Sequence, residues 1–90
     1  MLNINDVVYL EGQRNYTKIL TNKESFLVSK TLSKVHLKFP NTFIRIHKSY
    51  VININHCEFM DINHRHVIMI NHNSLPISIR LRKNLENFII

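Results

Sequence analysis

Glycine is almost absent from this chain: Gly12 is the single one in 90 residues. No glycine-rich loop can therefore cradle a nucleotide phosphate, and no nucleophile elbow of the Gly-x-Ser-x-Gly type is present. Cysteine is as scarce. Cys57 stands alone, so no internal disulfide can form, and the paired cysteines of a structural zinc site are missing. A lone cysteine fits a reducing, cytoplasmic setting. No apolar run approaches the length of a membrane span, and no charged-then-apolar segment opens the chain in the manner of an export signal. Neither membrane insertion nor export is expected.

Acidic residues are few and unevenly placed. Twelve Lys and Arg stand against six Asp and Glu, for a formal net charge of +6 and an isoelectric point near 9.8. Residues 25–57 hold no acid but carry Lys30, Lys34, Lys38, Arg45 and Lys48. Residues 62–85 are also acid-free and carry Arg65, Arg80, Arg82 and Lys83. Such asymmetry predicts a one-sided positive field and a polyanionic partner. With 44% hydrophobic residues the chain has enough apolar material for a core, and its length allows one domain.

The hydrophobic pattern is mostly that of short strands. Residues 6–10 read as a strand followed by a polar connection over 11–15. Residues 16–21 and 25–28 read as a hairpin around Asn22-Lys23. Leu32, Val35 and Phe39 recur at helical spacing, with Ser29 or Thr31 as cap and Pro40 as stop. Ile44 and Ile46 alternate with Arg45 and His47, and Ile52 and Ile54 with Asn53 and Asn55. The alternation slips between His47 and Tyr50, which predicts a tight, basic connection held by two strands. Residues 57–62 and 67–70 form a further hairpin candidate, and residues 75–77 a short strand that Pro76 confines to an edge. Leu81, Leu85 and Phe88 or Ile89 suggest a terminal helix capped by Ser78. The expectation is a single mainly β domain over residues 1–90.

Catalysis is not expected, because His47 and Ser49 have no nearby acid in sequence. Nor is a metal or other cofactor. His56, Cys57, His64, His66 and His72 are near one another in sequence but lack paired-cysteine or His-Glu-x-x-His spacing. A single-strand-binding or protein-binding β module of the OB type is the alternative class. It would need aromatic residues exposed on a sheet face, whereas the three Tyr and five Phe mostly have core-like spacing. Tyr16 and Tyr50 in particular read as core residues with hydrogen-bonded hydroxyls rather than base-stacking platforms.

Four ordered blocks carry a resemblance to a known family. Arg45-Ile46-His47-Lys48-Ser49-Tyr50-Val51-Ile52-Asn53 is similar to an Arg-x-His-Arg-Ser-Tyr-x-Val-Asn signature. Asp6-Val7-Val8-Tyr9-Leu10-Glu11, then Asn15-Tyr16, then Leu75-Pro76-Ile77-Ser78 match further blocks in the same order. In these the chain resembles the LytTR-type DNA-binding domain of bacterial response regulators. The resemblance implies an elongated stack of small antiparallel β-sheets with one or two short helices. It implies binding of double-stranded DNA through loops placed in successive major grooves, with bending of the duplex. It also implies paired direct repeats near promoters, and so a second copy alongside, and a receiver or other input domain as usual partner. No receiver domain is present in these residues. Lys48 stands where Arg is commonest, Ile79 where Arg is frequent, and Asn73 where Gly is usual.

Site roles follow from the resemblance together with side-chain chemistry. Arg14, Asn15, Thr17, Lys48 and Arg80 are candidates for base edges: Arg suits guanine and Asn suits adenine. Lys18, Ser49, Arg82 and Lys83 are candidates for phosphates. Arg45, His47, Tyr50 and Asn53 are expected to support the loops.

Overall fold

The structure, a computed structural model, describes residues 2–88. A 3₁₀ turn, Ile4–Asp6, leads into β1 (Val7–Gln13), β2 (Tyr16–Thr21) and β3 (Ser25–Val28). A five-residue helix, α1 (Leu32–His36), precedes β4 (Phe43–His47) and β5 (Tyr50–Asn53). After a 3₁₀ turn at Ile54–His56 come β6 (Cys57–Asp61), β7 (His66–Met69), β8 (Ser74–Pro76) and a 3₁₀ helix, η1 (Arg82–Phe88). Two antiparallel sheets result, in the orders β3-β2-β1-β5-β4 and β6-β7-β8. The molecule is elongated, 35 × 23 × 20 Å.

The larger sheet is the middle layer. On one face Val7, Leu10, Ile19, Phe43 and Val51 pack with Leu32 and Val35 of α1. On the other, Val8, Tyr9, Ile46 and Ile52 meet Val67, Met69 and Leu75 of the second sheet, together with Ile77 just after β8 and Leu85 of η1. β1 supplies both faces by alternation, and its pairing with β2 slips between Val7 and Tyr9. The slip turns two consecutive residues to the same side, so Val7 and Leu10 face α1 while Val8 and Tyr9 face the second sheet. Each such aliphatic side chain contributes about 1.5–3 kcal/mol by leaving water.

Several boundaries differ from the sequence reading. β1 continues to Gln13, because Glu11, Gly12 and Gln13 pair with Lys18, Thr17 and Tyr16; the polar connection shrinks to Arg14-Asn15. The second hairpin turn extends through Glu24, whose carbonyl accepts from the Thr21 N–H, while Thr21 Oγ1 accepts from the N–H groups of Lys23 and Glu24. Thr31, not Ser29, caps α1. The strand expected through Asn55 stops at Asn53, whose side chain accepts from the Asn55 N–H and starts a 3₁₀ turn. His66 belongs to β7 rather than to the turn before it. The smaller sheet's last strand runs one residue earlier than expected and does place Pro76 on an edge. The terminal helix is a 3₁₀ helix that begins at Arg82, four residues after the expected cap Ser78; Ile89 lies outside the described residues.

Candidate nucleic-acid interface

Antiparallel pairing decides which connections share an end. β1 runs toward the Arg14-Asn15 turn, and β5, antiparallel to it, starts at that same end from the Lys48-Ser49 turn. The second turn is tied to the end of β1 that leads into the first, since the Gly12 N–H donates to the Ser49 carbonyl at 2.8 Å. The segment after β8 arrives there too, with the Ser78 N–H donating to the Ile46 carbonyl at 2.8 Å. Arg14, Asn15, Lys48 and Arg80 are all exposed on these three connections. Lys30 joins them, because its carbonyl accepts from Thr17 Oγ1 at 2.8 Å. At the other end, Asp6 and Glu24 line a common pocket with Thr21 and His56. The carboxylates of Asp6 and Glu24 thus lie at the opposite end of the hairpin from the Arg14-Asn15 turn, in a pocket that Lys23 also lines.

Each turn is held in a particular shape. Arg14 has φ 56°, the left-handed backbone that a two-residue hairpin turn demands and that an L side chain resists. At the second turn the Arg45 guanidinium does the work of a clamp. Its Nε donates to the His47 carbonyl at 2.8 Å, one Nη donates to the Lys48 carbonyl, and the other reaches Ser33 Oγ at 3.3 Å on α1. His47 Nδ1 accepts from the Ser49 N–H at 3.1 Å, which puts the neutral ring's proton on Nε2. Burial first, then the Lys48 and Arg45 charges, push the His47 pKa down. Tyr50 lies tilted against His47 at 5.6 Å and edge-on to Tyr9 at 6.1 Å. Burial, with Glu11 nearby, pushes its phenol pKa up. Asn53 is buried and donates to the Val7 carbonyl at 2.9 Å, fixing β5 to the start of β1.

The sequence-derived site residues thus divide. Ser49 is half-buried, with its backbone N–H and carbonyl both engaged within the turn region. Lys18 stands on β2 opposite Glu11 and Leu27, as the third residue of the strand from the turn. Arg82 and Lys83 are exposed on η1, and Lys83 borders a groove with His36, Arg45 and Asn84. Thr17 is corrected outright: it is fully buried and its hydroxyl is bonded to Lys30, so no base edge can reach it. Tyr16 is corrected in the opposite sense, being 46% exposed rather than packed in the core. Two residues escaped the sequence reading. Arg65 occupies the β6–β7 turn at φ 54°, and its carbonyl accepts from the Ile77 N–H next to Ser78. Asn84 donates to the Arg45 carbonyl. Only an acid-free run marked the first, and nothing in the pattern marked the second.

The histidines and Cys57 do not converge. His64 pairs with Asp61 at 2.8 Å, and His56 bonds to the Asn5 carbonyl at 2.6 Å. Among the described residues no group of three His, Cys, Asp or Glu could hold a metal ion, and no helix is long and apolar enough to cross a membrane.

A small antiparallel β domain that gathers exposed cations on short turns at one end is of the nucleic-acid-binding class. The chain belongs to the LytTr DNA-binding domain family, whose model matches residues 1–90. Among relatives it is 33% identical over 57 residues to the sensory transduction protein LytT of Bacillus cereus. That match covers 62% of this chain and 23% of the relative. It is 32% identical over 53 residues to the transcriptional regulatory protein YpdB of Escherichia coli, covering 58% and 22%. The chain thus matches under a quarter of either relative's length. A solved LytTr DNA-binding domain from Bacillus cereus superposes with a TM-score of 0.77 at 23% identity, covering 97% of this chain and 81% of that one. The likeness establishes the mainly β, two-sheet fold.

Proposed function

We propose that this domain binds double-stranded DNA in a sequence-dependent way, as the reading head of a bacterial transcription regulator. The observation that carries the reading is the convergence of Arg14-Asn15, Lys48 and Arg80 at one end of the larger sheet, opposite Asp6 and Glu24. A duplex presents phosphates to the whole cationic end and base edges to whatever projects furthest. Arg14, Asn15, Lys48 and Arg80 sample bases from successive major grooves. Lys18, Arg82 and Lys83 hold phosphates and displace counterions. Ser49 adds a phosphate contact through its hydroxyl. Arg45, His47, Tyr50 and Asn53 stay beneath the loops and shape them. Lys48 offers a point charge where a guanidinium would offer a planar fork, so its base preference is looser than arginine's. A second copy on an adjacent direct repeat and a receiver or other input domain complete the regulator, which acts in the cytoplasm without catalysis of its own.

Fluorescence anisotropy across a salt series tests this, with duplexes enriched from a random library against scrambled and single-stranded controls. Tight, sequence-dependent duplex binding with a steep salt slope is expected. Equal binding to single strands and scrambled duplex would place the domain instead among generic polyanion binders.

A further inference from the structure

In a regular strand successive carbonyls point to opposite edges. β4 breaks this rule where its pairing with β5 slips between Arg45 and His47, and β4 is also the outer strand of its sheet. Two consecutive carbonyls of β4 are used by the C-terminal segment. The Ile46 carbonyl accepts from the Ser78 N–H at 2.8 Å. The Arg45 carbonyl accepts from Asn84 Nδ2 at 2.9 Å. Between these two anchors the chain carries Ile79 and Arg80, both exposed, with Ile79 at 63%. Ser78 tightens the base of the loop, its Oγ accepting from the Leu81 N–H at 3.1 Å. Next to Asn84, Leu85 is fully buried in the core, so the second anchor is mounted on a fixed element.

The same residue, Arg45, grips the other turn. Its side chain holds the carbonyls of His47 and Lys48 while its main chain is held by Asn84. Arg80 and Arg45 also repel one another: the Arg80 charge, after burial, lowers the Arg45 pKa. Among the described residues the one ion pair is His64 with Asp61, so no carboxylate relieves that repulsion. The Arg80 segment is kept beside β4 by neutral hydrogen bonds.

We infer that Asn84 is a positioning residue, one that sets the distance between Arg80 and Lys48 and does not itself touch DNA. The inference rests on the duplex-reading function proposed above. Because Asn84 carries no charge, its loss removes no counterion release and should leave the salt slope alone. What it should change is the agreement between two probes on one duplex.

The test uses the whole chain and four proteins: unaltered, Asn84→Ala, Arg80→Ala and the double variant, each titrated against the enriched duplex and a scrambled one. Asn84→Ala is expected to lower the preference for the enriched duplex by about threefold to tenfold, the scale of one lost hydrogen bond, at an unchanged salt slope. Arg80→Ala is expected to cost less in the Asn84→Ala background than alone. Should Asn84→Ala fail to fold, Asn84→Ser replaces it, with exchange of the Leu81 and Arg82 amides, both bonded to the Ser78 carbonyl, read by NMR; faster exchange there with a retained fold supports the tether, and unchanged exchange overturns it. Full additivity with Arg80→Ala, or equal weakening on both duplexes, overturns the positioning role alone. No preference in the unaltered chain overturns the DNA reading, and the inference with it.

Discussion

The imidazole of His47 accepts the backbone N–H of Ser49 at 3.1 Å, so the turn that displays Lys48 is closed by the side chain of the residue just before it. That bond needs an unprotonated Nδ1. Burial and the Lys48 and Arg45 cations hold His47 below its ordinary value of 6.5. The unfolded chain therefore takes up this proton at a higher pH than the folded one. The stabilisation is complete above the ordinary value and is lost as pH falls through the lowered folded value. Thermal midpoints should drop between about pH 7.5 and about pH 5. The drop should be smaller for His47→Asn, which keeps an acceptor that does not titrate; equal drops would remove His47 as a source of the acid sensitivity.

Thr17 offers a test of the corrected assignment. Thr17→Val preserves shape while deleting the hydroxyl bonded to the Lys30 carbonyl. Chemical denaturation should show a loss of about 1 kcal/mol, with the ratio of affinities for enriched and scrambled duplex unchanged. A selective loss on the enriched duplex would return Thr17 to the interface.

Arg14 sets stability against binding. At φ 56° an L residue is strained by about 1–2 kcal/mol, whereas glycine is not but has more unfolded-state entropy to lose. Arg14→Gly should match the parent in denaturation or exceed it by up to about 1 kcal/mol, while binding the enriched duplex less tightly. A clear drop in stability would mean that the arginine side chain holds the turn.

Arg80 and Lys83 should separate base reading from phosphate holding. Arg80→Ala is expected to weaken enriched-duplex binding by about 1–3 kcal/mol, with little change on scrambled duplex. Lys83→Ala should weaken both alike and reduce the salt slope by about 1. Equal losses from Arg80→Ala on both duplexes would restrict that residue to phosphate.

Much of the fold was legible because its strands alternate and its turns carry polar residues. The break in alternation between His47 and Tyr50 located the second turn, and Pro76 correctly marked an edge. What escaped depended on tertiary pairing. Glu11 and Gln13 look like loop residues, yet they extend β1 because Lys18 and Tyr16 lie opposite them. Thr17 looks like a hydroxyl open to a duplex at the start of its strand, yet pairing between Gly12 and Val28 and the bond to the Lys30 carbonyl hold it in the core. Asn84 has no local signal, since its partner is 39 positions away. Spacing identified which connections are polar; only the antiparallel order of β1, β5 and β4 shows that they share an end.

The turns at that end are short and braced, which has a consequence for the duplex. Arg14-Asn15 spans two residues between strands, as does Lys48-Ser49, and the second is clamped by Arg45. Such mounts leave little slack for adjusting to a straight helix. Under the proposed mode, the DNA must absorb any mismatch between groove spacing and turn spacing. Easily kinked pyrimidine–purine steps between the contacted bases would then be favoured, giving a preference at positions that no side chain reaches.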